Sequence, residues 1–335
     1  MPSGISHMLL SRYLPIDGGR DYRYKIMSNT RYFQVGSIAP DLPYGSIADN
    51  DFLHNEDRIA NLFHFCEENQ ATRLSPNKLP LAGLKDVKNR KDRGEEKREC
   101  DALFWFVTGY ASHVIADGVF HPFVMDKVGR YEGGNQAAHR ALEMGIDVLL
   151  LKHLTAGTGH AIEASYAGMD LTIASFPEES HADMVLKAFS ALIKSIYNED
   201  IATSKIKGWI NGISRLFTLS TGKWPAWLRQ LEKTDPFVFH EIPDLDGREE
   251  EYLLLEKPKY WDENFLKRPS VHALNDCLPL YNRLMKEYID KAYAFVYGDG
   301  DELTEADLPA YSLDTGRTVN DPNNITLKPV LWEAA

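Results

Sequence analysis

The sequence predicts an all-α protein. Apolar residues recur at helical spacing over long stretches, and alternating strand patterns are rare. Ile5, Met8 and Leu9 surround His7 on a first helix. The stretch from Asp101 to Phe120 is strongly apolar and reads as a central helix, which Pro122 should end near His121, because proline disfavours helix at the residue before it. Gly133, Gly134 and Asn135 supply a turn into a second helix, Gln136 to Leu154, so these two helices should pack side by side. From Asp183 to Tyr197 the stripe is Met184, Val185, Ala188, Phe189, Leu192 and Ile196, with Ser175 and Glu178 at capping-box spacing upstream. From Pro279 to Tyr297 the stripe is Leu280, Tyr281, Leu284, Met285, Tyr288, Ala292 and Phe295, and Gly298 stops it.

The segments between are irregular. Lys85 to Cys100 holds seven basic and five acidic residues and reads as a solvated loop or helix face rather than a binding patch. Lys233 to Arg268 is rich in Pro, Asp and Glu and reads as a long irregular connection. The tail 301–335 carries Pro309, Pro322 and Pro329 and has little helical pattern, and Asp299 and Asp301 lack the rest of a calcium loop. No internal repeat or Pro/Ser-rich linker divides the chain. Residues 1–335 are therefore expected to form one domain, with chemistry-bearing residues within 1–150 and a helical remainder over 151–300.

An apolar fraction of 44% and a charged fraction of 26% are those of a soluble globular protein. The formal charge of −12 repels nucleic acid and anionic membranes at long range. It leaves a phosphate substrate open, because bound metal ions would dominate locally. Three cysteines, Cys66, Cys100 and Cys277, form neither a disulfide framework nor a CxxC thiolate site. No signal peptide is seen, and no stretch approaches the roughly 20 apolar residues of a membrane span. Leu103 to Ala116 comes nearest and carries His113. The chain as written is expected to be cytoplasmic or secreted by a signal-independent route.

The residues with the chemistry are eleven histidines and a few well-spaced carboxylates. His113, Asp117 and His121 fall at i, i+4 and i+8, on one side of a helix. A carboxylate on a buried helix needs a partner, because burying it unpaired is costly. His139 and Glu143 form a second i, i+4 pair on the next helix. Upstream, Gly36-Ser-Ile-Ala-Pro-Asp41 sets a carboxylate after a turn, and His64 sits among Leu62, Phe63 and Phe65. Imidazole with carboxylate is a zinc donor set. The chain has no GxSxG elbow, phosphate loop, GxGxxG or HExxH motif.

The ordered set His7, Asp41, His64, His113, Asp117, His121, His139 and Glu143 resembles the zinc-dependent phospholipase C family, which is similar to the S1/P1 nucleases and to the catalytic domain of glycosylphosphatidylinositol-specific phospholipase D. The phrases Gly36-Ser-Ile-Ala-Pro-Asp41 and Gly109-Tyr-Ala-Ser-His-Val-Ile-Ala-Asp117 carry the likeness, which spans residues 5 to 147. It implies a single helical domain of the phospholipase C/P1 nuclease type. It also implies a zinc-dependent phosphodiester hydrolase that cleaves a glycerophospholipid to diacylglycerol and a phosphorylated head group. The phospholipid would be met by peripheral contact with a membrane surface.

By the same resemblance, Asp41, His64, His113 and Asp117 surround one zinc, while His121, His139 and Glu143 hold a second. His7 and the other oxygen of Asp117 hold a third, which in secreted relatives also takes the terminal amine; the Met1-Pro2 start departs from that pattern. Asp41 would orient or deprotonate the attacking water. Tyr44, close after Asp41, is a candidate edge aromatic for a choline cation, or a turn-packing tyrosine. His54 competes with His64 for the metal, and the apolar neighbours of His64 favour the latter. His153, His160, His181, His240 and His272 are expected to be structural or superficial. Two alternatives stand beside the phospholipase C: a single-strand nuclease, which would want aromatic platforms and a basic groove, and a non-catalytic helical metal protein.

Overall fold

A computed structural model describes residues 4–14, 28–48, 57–64, 75–129, 134–155, 181–220, 245–258, 270–310, 312–313 and 315–317. In chain order the helices are α1 (Gly4–Arg12), α2 (Thr30–Ser37), α3 (Asp57–His64), α4 (Lys78–Asp92), α5 (Lys97–Val128), α6 (Gln136–Thr155), α7 (Ala182–Tyr197), α8 (Thr203–Ser220), α9 (Glu249–Leu253) and α10 (Leu278–Tyr297). A 3₁₀ segment, Ala39–Ala48, follows α2, and a π-helical turn, Ala273–Cys277, precedes α10. The architecture is all-α, and among the described residues there is one small antiparallel pair, β1 (Leu254–Glu256) and β2 (Ser270–His272), in which Leu255 faces Val271.

Helix α5 is the axis of the molecule. Apart from Asp101, residues Cys100 to Asp126 are all buried, as expected of a helix that is apolar on every side. It is long and apolar enough to cross a membrane, but every residue of its most apolar stretch is buried inside the protein, so it is a core helix here. It does not end at His121, as Pro122 suggested; it runs through Pro122 to Val128. An internal proline removes one backbone hydrogen bond and crowds the carbonyl four residues back, at a cost of about 3 kcal/mol. Burial of Phe123 and Val124, both fully inaccessible, returns about 1.5–3 kcal/mol each. Packing therefore outweighs the local preference.

Two glycine contacts let backbones approach closely around this axis. A Cβ on Gly36 of α2 would lie 2.1 Å from the Phe106 carbonyl oxygen, and one on Gly109 of α5 would lie 2.2 Å from that of Phe33. Only hydrogen at both positions allows this crossing. The 3₁₀ segment meets α8 the same way: a Cβ on Gly212 would lie 1.8 Å from the Gly45 oxygen. Helix α7 places Phe189 against Phe106 and Tyr110, and α10 bonds α5 through Tyr281 and Ser112 at 2.7 Å.

The predicted helices over 136–154, 183–197 and 279–297 lie within α6, α7 and α10. Their ends follow local chemistry: Asn198 takes the left-handed C-cap of α7 at φ 58°, and Pro279 opens α10. The charged run 85–100 forms the outer face of α4 and the start of α5, with ion pairs such as Arg90–Asp86 at 2.8 Å. The connection 233–268 is not wholly irregular, because its described part folds into α9 and β1. Glu249, Glu250 and Glu251 sit in the first turn of α9, where the helix dipole favours negative charge. β1 exists only through pairing with β2, a long-range contact without local signature. Ser175 and Glu178, and the rest of that connection, lie outside the described residues. Cys100 and Cys277 are free and buried; Cys66 lies outside.

Candidate metal centre

Four elements deliver the first cluster. α1 presents His7, the 3₁₀ segment Asp41, the last residue of α3 His64, and α5 both His113 and Asp117. His7, His113 and Asp117 are wholly inaccessible, and Asp41 and His64 are nearly so. Asp117 sits between three imidazoles. Its Oδ1 is 3.1 Å from His7 Nε2, and its Oδ2 is 3.2 Å from His113 Nε2 and 3.8 Å from His64 Nε2. Asp41 Oδ1 is 3.2 Å from His64 Nε2. The His7 and His113 rings stack at 3.9 Å between centroids.

The second cluster lies farther along α5. His121 follows Asp117 by one turn, a rise of about 6 Å. Its Nε2 is 3.2 Å from His139 Nε2 and 3.9 Å from Glu143 Oε1, while His139 Nε2 is 3.2 Å from the same oxygen. The close packing of α5 with α6 brings these three together. All are buried.

Four of the rings are aimed by backbone carbonyls. Nδ1 of His64 donates to Ala60 O at 2.7 Å, that of His113 to Ser37 O at 2.9 Å, that of His121 to Leu313 O at 2.8 Å, and that of His139 to Gly129 O at 2.8 Å. A carbonyl can only accept, so the proton of each neutral ring is on Nδ1 and the Nε2 lone pair points into the cluster. His64 and His113 then face each other Nε2 to Nε2 at 3.1 Å. Such opposed lone pairs call for a shared cation. Orienting a metal-binding imidazole through its other nitrogen is the usual outer-shell arrangement of zinc sites.

The electrostatics point the same way. Burial works to raise Asp117, but His113 and His7 beside it hold it well below the usual carboxylate range. Burial is likewise overcome at Glu143, which His139 and Arg140 help to hold at about 2. Both carboxylates therefore stay ionised in the interior. Burial and His113 push His7 down, and burial together with His139 pushes His121 well down. His64 is raised against the effect of burial by Asp41. Among the described residues, both oxygens of Asp117, Oδ1 of Asp41 and both ring nitrogens of His7 lack hydrogen-bond partners. Ionised buried oxygens without donors are expensive, and a divalent cation with imidazole and carboxylate donors suits them. Three buried groups have donor atoms close enough to share an ion: His7/Asp41/His113, His64/His113/Asp117 and His121/His139/Glu143.

All eight histidines and carboxylates singled out in the sequence thus lie in these two clusters. Tyr44 is half-buried at the edge, its ring centroid 6.2 Å from that of His64. His153 is exposed on α6, and His272 caps the π-helical turn by accepting from the Leu274 and Asn275 amides. His181 lies near Glu96 and Glu99 at the surface. Glu99 there occupies the first turn of α5, a placement the helix dipole explains. His54, His160 and His240 lie outside the described residues. The orienting carbonyls of Ser37, Ala60, Gly129 and Leu313 were not foreseen, since every residue has a carbonyl. Nor was the buried Asp147, one turn beyond Glu143, whose Oδ1 accepts from the Ser6 amide at 3.2 Å and from the Ser6 hydroxyl, next to His7.

Comparison with known proteins agrees with the geometry. A family model described as zinc dependent phospholipase C matches residues 5–207, more than half of the chain and a span holding all eight residues. No curated protein and no solved structure matches. The chain belongs to the zinc-dependent phospholipase C family.

Proposed function

We propose that the protein is a phospholipase C that hydrolyses the phosphodiester of a glycerophospholipid, giving diacylglycerol and a phosphorylated head group. The observation that carries this is the convergence of inward-facing Nε2 atoms on buried, ionised Asp117 and Glu143. Asp41, His64, His113 and Asp117 would hold one zinc, His121, His139 and Glu143 a second, and His7 with Asp117 Oδ1 a third. Zinc held there would polarise phosphoryl oxygens and make water a competent nucleophile at neutral pH.

The chain's own groups divide the remaining work. Asp41, 5% exposed and beside His64, would orient the attacking water and take its proton. Asp117 carries one oxygen toward His7 and the other toward His113 and His64, so this one side chain would offer an oxygen to each of two neighbouring ions. Tyr44 at the rim offers its ring to a cationic head group. The lipid would be taken from a membrane surface by peripheral contact. The net charge of −12 weakens attraction to anionic surfaces and to DNA alike.

The test is direct. Zinc per chain is measured on purified protein, and phosphatidylcholine, phosphatidylethanolamine and single-stranded DNA are assayed side by side. Zinc uptake with release of diacylglycerol is expected. Less than one zinc per chain under metal-replete conditions sinks the proposal, and DNA cleavage without lipid cleavage transfers it to the nuclease branch.

A further inference from the structure

The second cluster is completed from the far end of the chain. His121 Nδ1 donates to the carbonyl of Leu313 at 2.8 Å, across 192 positions of sequence. The amide of the same residue donates to the backbone oxygen of His64 at 3.3 Å. That oxygen ends α3, where helical carbonyls lack partners in their own helix. The backbone of one residue thus touches both clusters, the ring of His121 in one and the helix terminus that presents His64 in the other. Leu313 lies more than a hundred residues beyond the family match.

The backbone around Leu313 is built to stay in place. The Ser312 amide donates to Arg317 O at 2.8 Å, and Gly316 returns a bond to Ser312 O at 2.9 Å. Gly316 takes φ 67°, a left-handed conformation that closes this turn. Upstream, Asn77 Nδ2 holds Leu308 O at 2.7 Å. The Leu313 side chain is fully inaccessible and part of the core.

We propose that the backbone of Leu313 is a positioning element for both clusters: its carbonyl fixes the ring and tautomer of His121, and its amide ties down the end of α3. The inference builds on the zinc reading above, but its first consequence concerns the metal-free chain. His121 carries its proton on Nδ1 because a carbonyl stands behind it. When that carbonyl moves, the ring can turn, and the Nε2 lone pair is no longer directed at His139 and Glu143. Removing an outer-shell partner of this kind typically lowers metal affinity about 10–100-fold.

The experiment uses the full chain with Gly316→Ala and Gly316→Val, which strain the turn to increasing degrees, and Leu313→Ala, which shortens the side chain but leaves the backbone bonds. Ring ¹⁵N shifts of His121 are recorded without metal, and zinc affinity is measured by chelator competition. The Gly316 variants are expected to mix the His121 tautomers, more for valine than alanine, and to lose about 10–100-fold in affinity at the His121 site. Leu313→Ala should keep the single tautomer even where melting temperature falls. A single Nδ1–H tautomer in both Gly316 variants, or mixing in Leu313→Ala as large as theirs, overturns the inference. If the unaltered chain takes up no zinc, the functional proposal fails, while the tautomer measurement still decides this one.

Discussion

Replacing Gly109 by alanine is expected to destabilise the protein, although alanine is the better helix former by about 1 kcal/mol. The added Cβ would stand 2.2 Å from the Phe33 carbonyl oxygen, against the 3.4 Å at which ordinary contact begins. The obstacle is backbone and cannot rotate away, so α2 and α5 must separate by the difference, about 1.2 Å. Overpacking of this kind costs about 1–3 kcal/mol or more. With the upper end taken because the obstacle is backbone, and less the propensity gain, the net loss is about 2 kcal/mol; at about 2.1 cal/mol/K per residue over 335 residues that is a fall of about 3 °C in melting temperature. The separation also draws the Ser37 carbonyl from His113 Nδ1, now 2.9 Å away, so zinc affinity at the first cluster should fall with stability. Gly83→Ala is the comparator: its Cβ meets the Val107 side chain at 2.7 Å, a softer obstacle, so its loss should be smaller. Thermal melting and zinc titration check both. A Gly109→Ala protein as stable as the unaltered one would falsify the idea that this glycine crossing sets the spacing.

Other expectations follow from the site. Asp117→Ala removes the carboxylate that faces three imidazoles; it should lose both zinc and the proposed phospholipase C activity, checked by metal analysis and diacylglycerol release. Asp41→Asn keeps shape and should reduce turnover far more than zinc content; unchanged turnover removes Asp41 from the proposed role of base. Chelation should lower the melting temperature, because ionised Asp117 and Glu143 lose their compensating cation. In the metal-free chain, His7 and His121 are lowered from 6.5, so below that pH the unfolded chain binds more protons there and stability falls with acidity. His64 is raised and acts oppositely, adding stability below 6.5 that is lost as pH rises through its folded value. Below 6.5 His64 is protonated folded and unfolded alike and adds no slope, so there His7 and His121 set a fall of stability with acidity. Urea denaturation between pH 7.5 and 5 measures it, and His121→Gln should flatten it.

The family resemblance added His7, Asp41 and His64; the sequence by itself determined the helical class, the principal helices and the five cluster residues His113, Asp117, His121, His139 and Glu143. These were legible because i, i+4 and i+8 spacing on α5 and i, i+4 spacing on α6 are local properties of a helix, and because buried His and Asp types on apolar segments need partners. Only the tertiary structure decided the rest. Pro122 reads as a helix end, yet Phe123 and Val124 bury enough surface to carry α5 through it. Gly36 and Gly109 look like ordinary glycines until two helices cross there. The carbonyls that aim His64, His113, His121 and His139 have no sequence signature at all. The Leu313 carbonyl comes from a tail with no recognisable pattern, and reaches His121 only because the folded chain returns to its own core. Which residues could bind metal follows from side-chain chemistry; which nitrogen each ring turns inward follows from backbone atoms that any residue would supply.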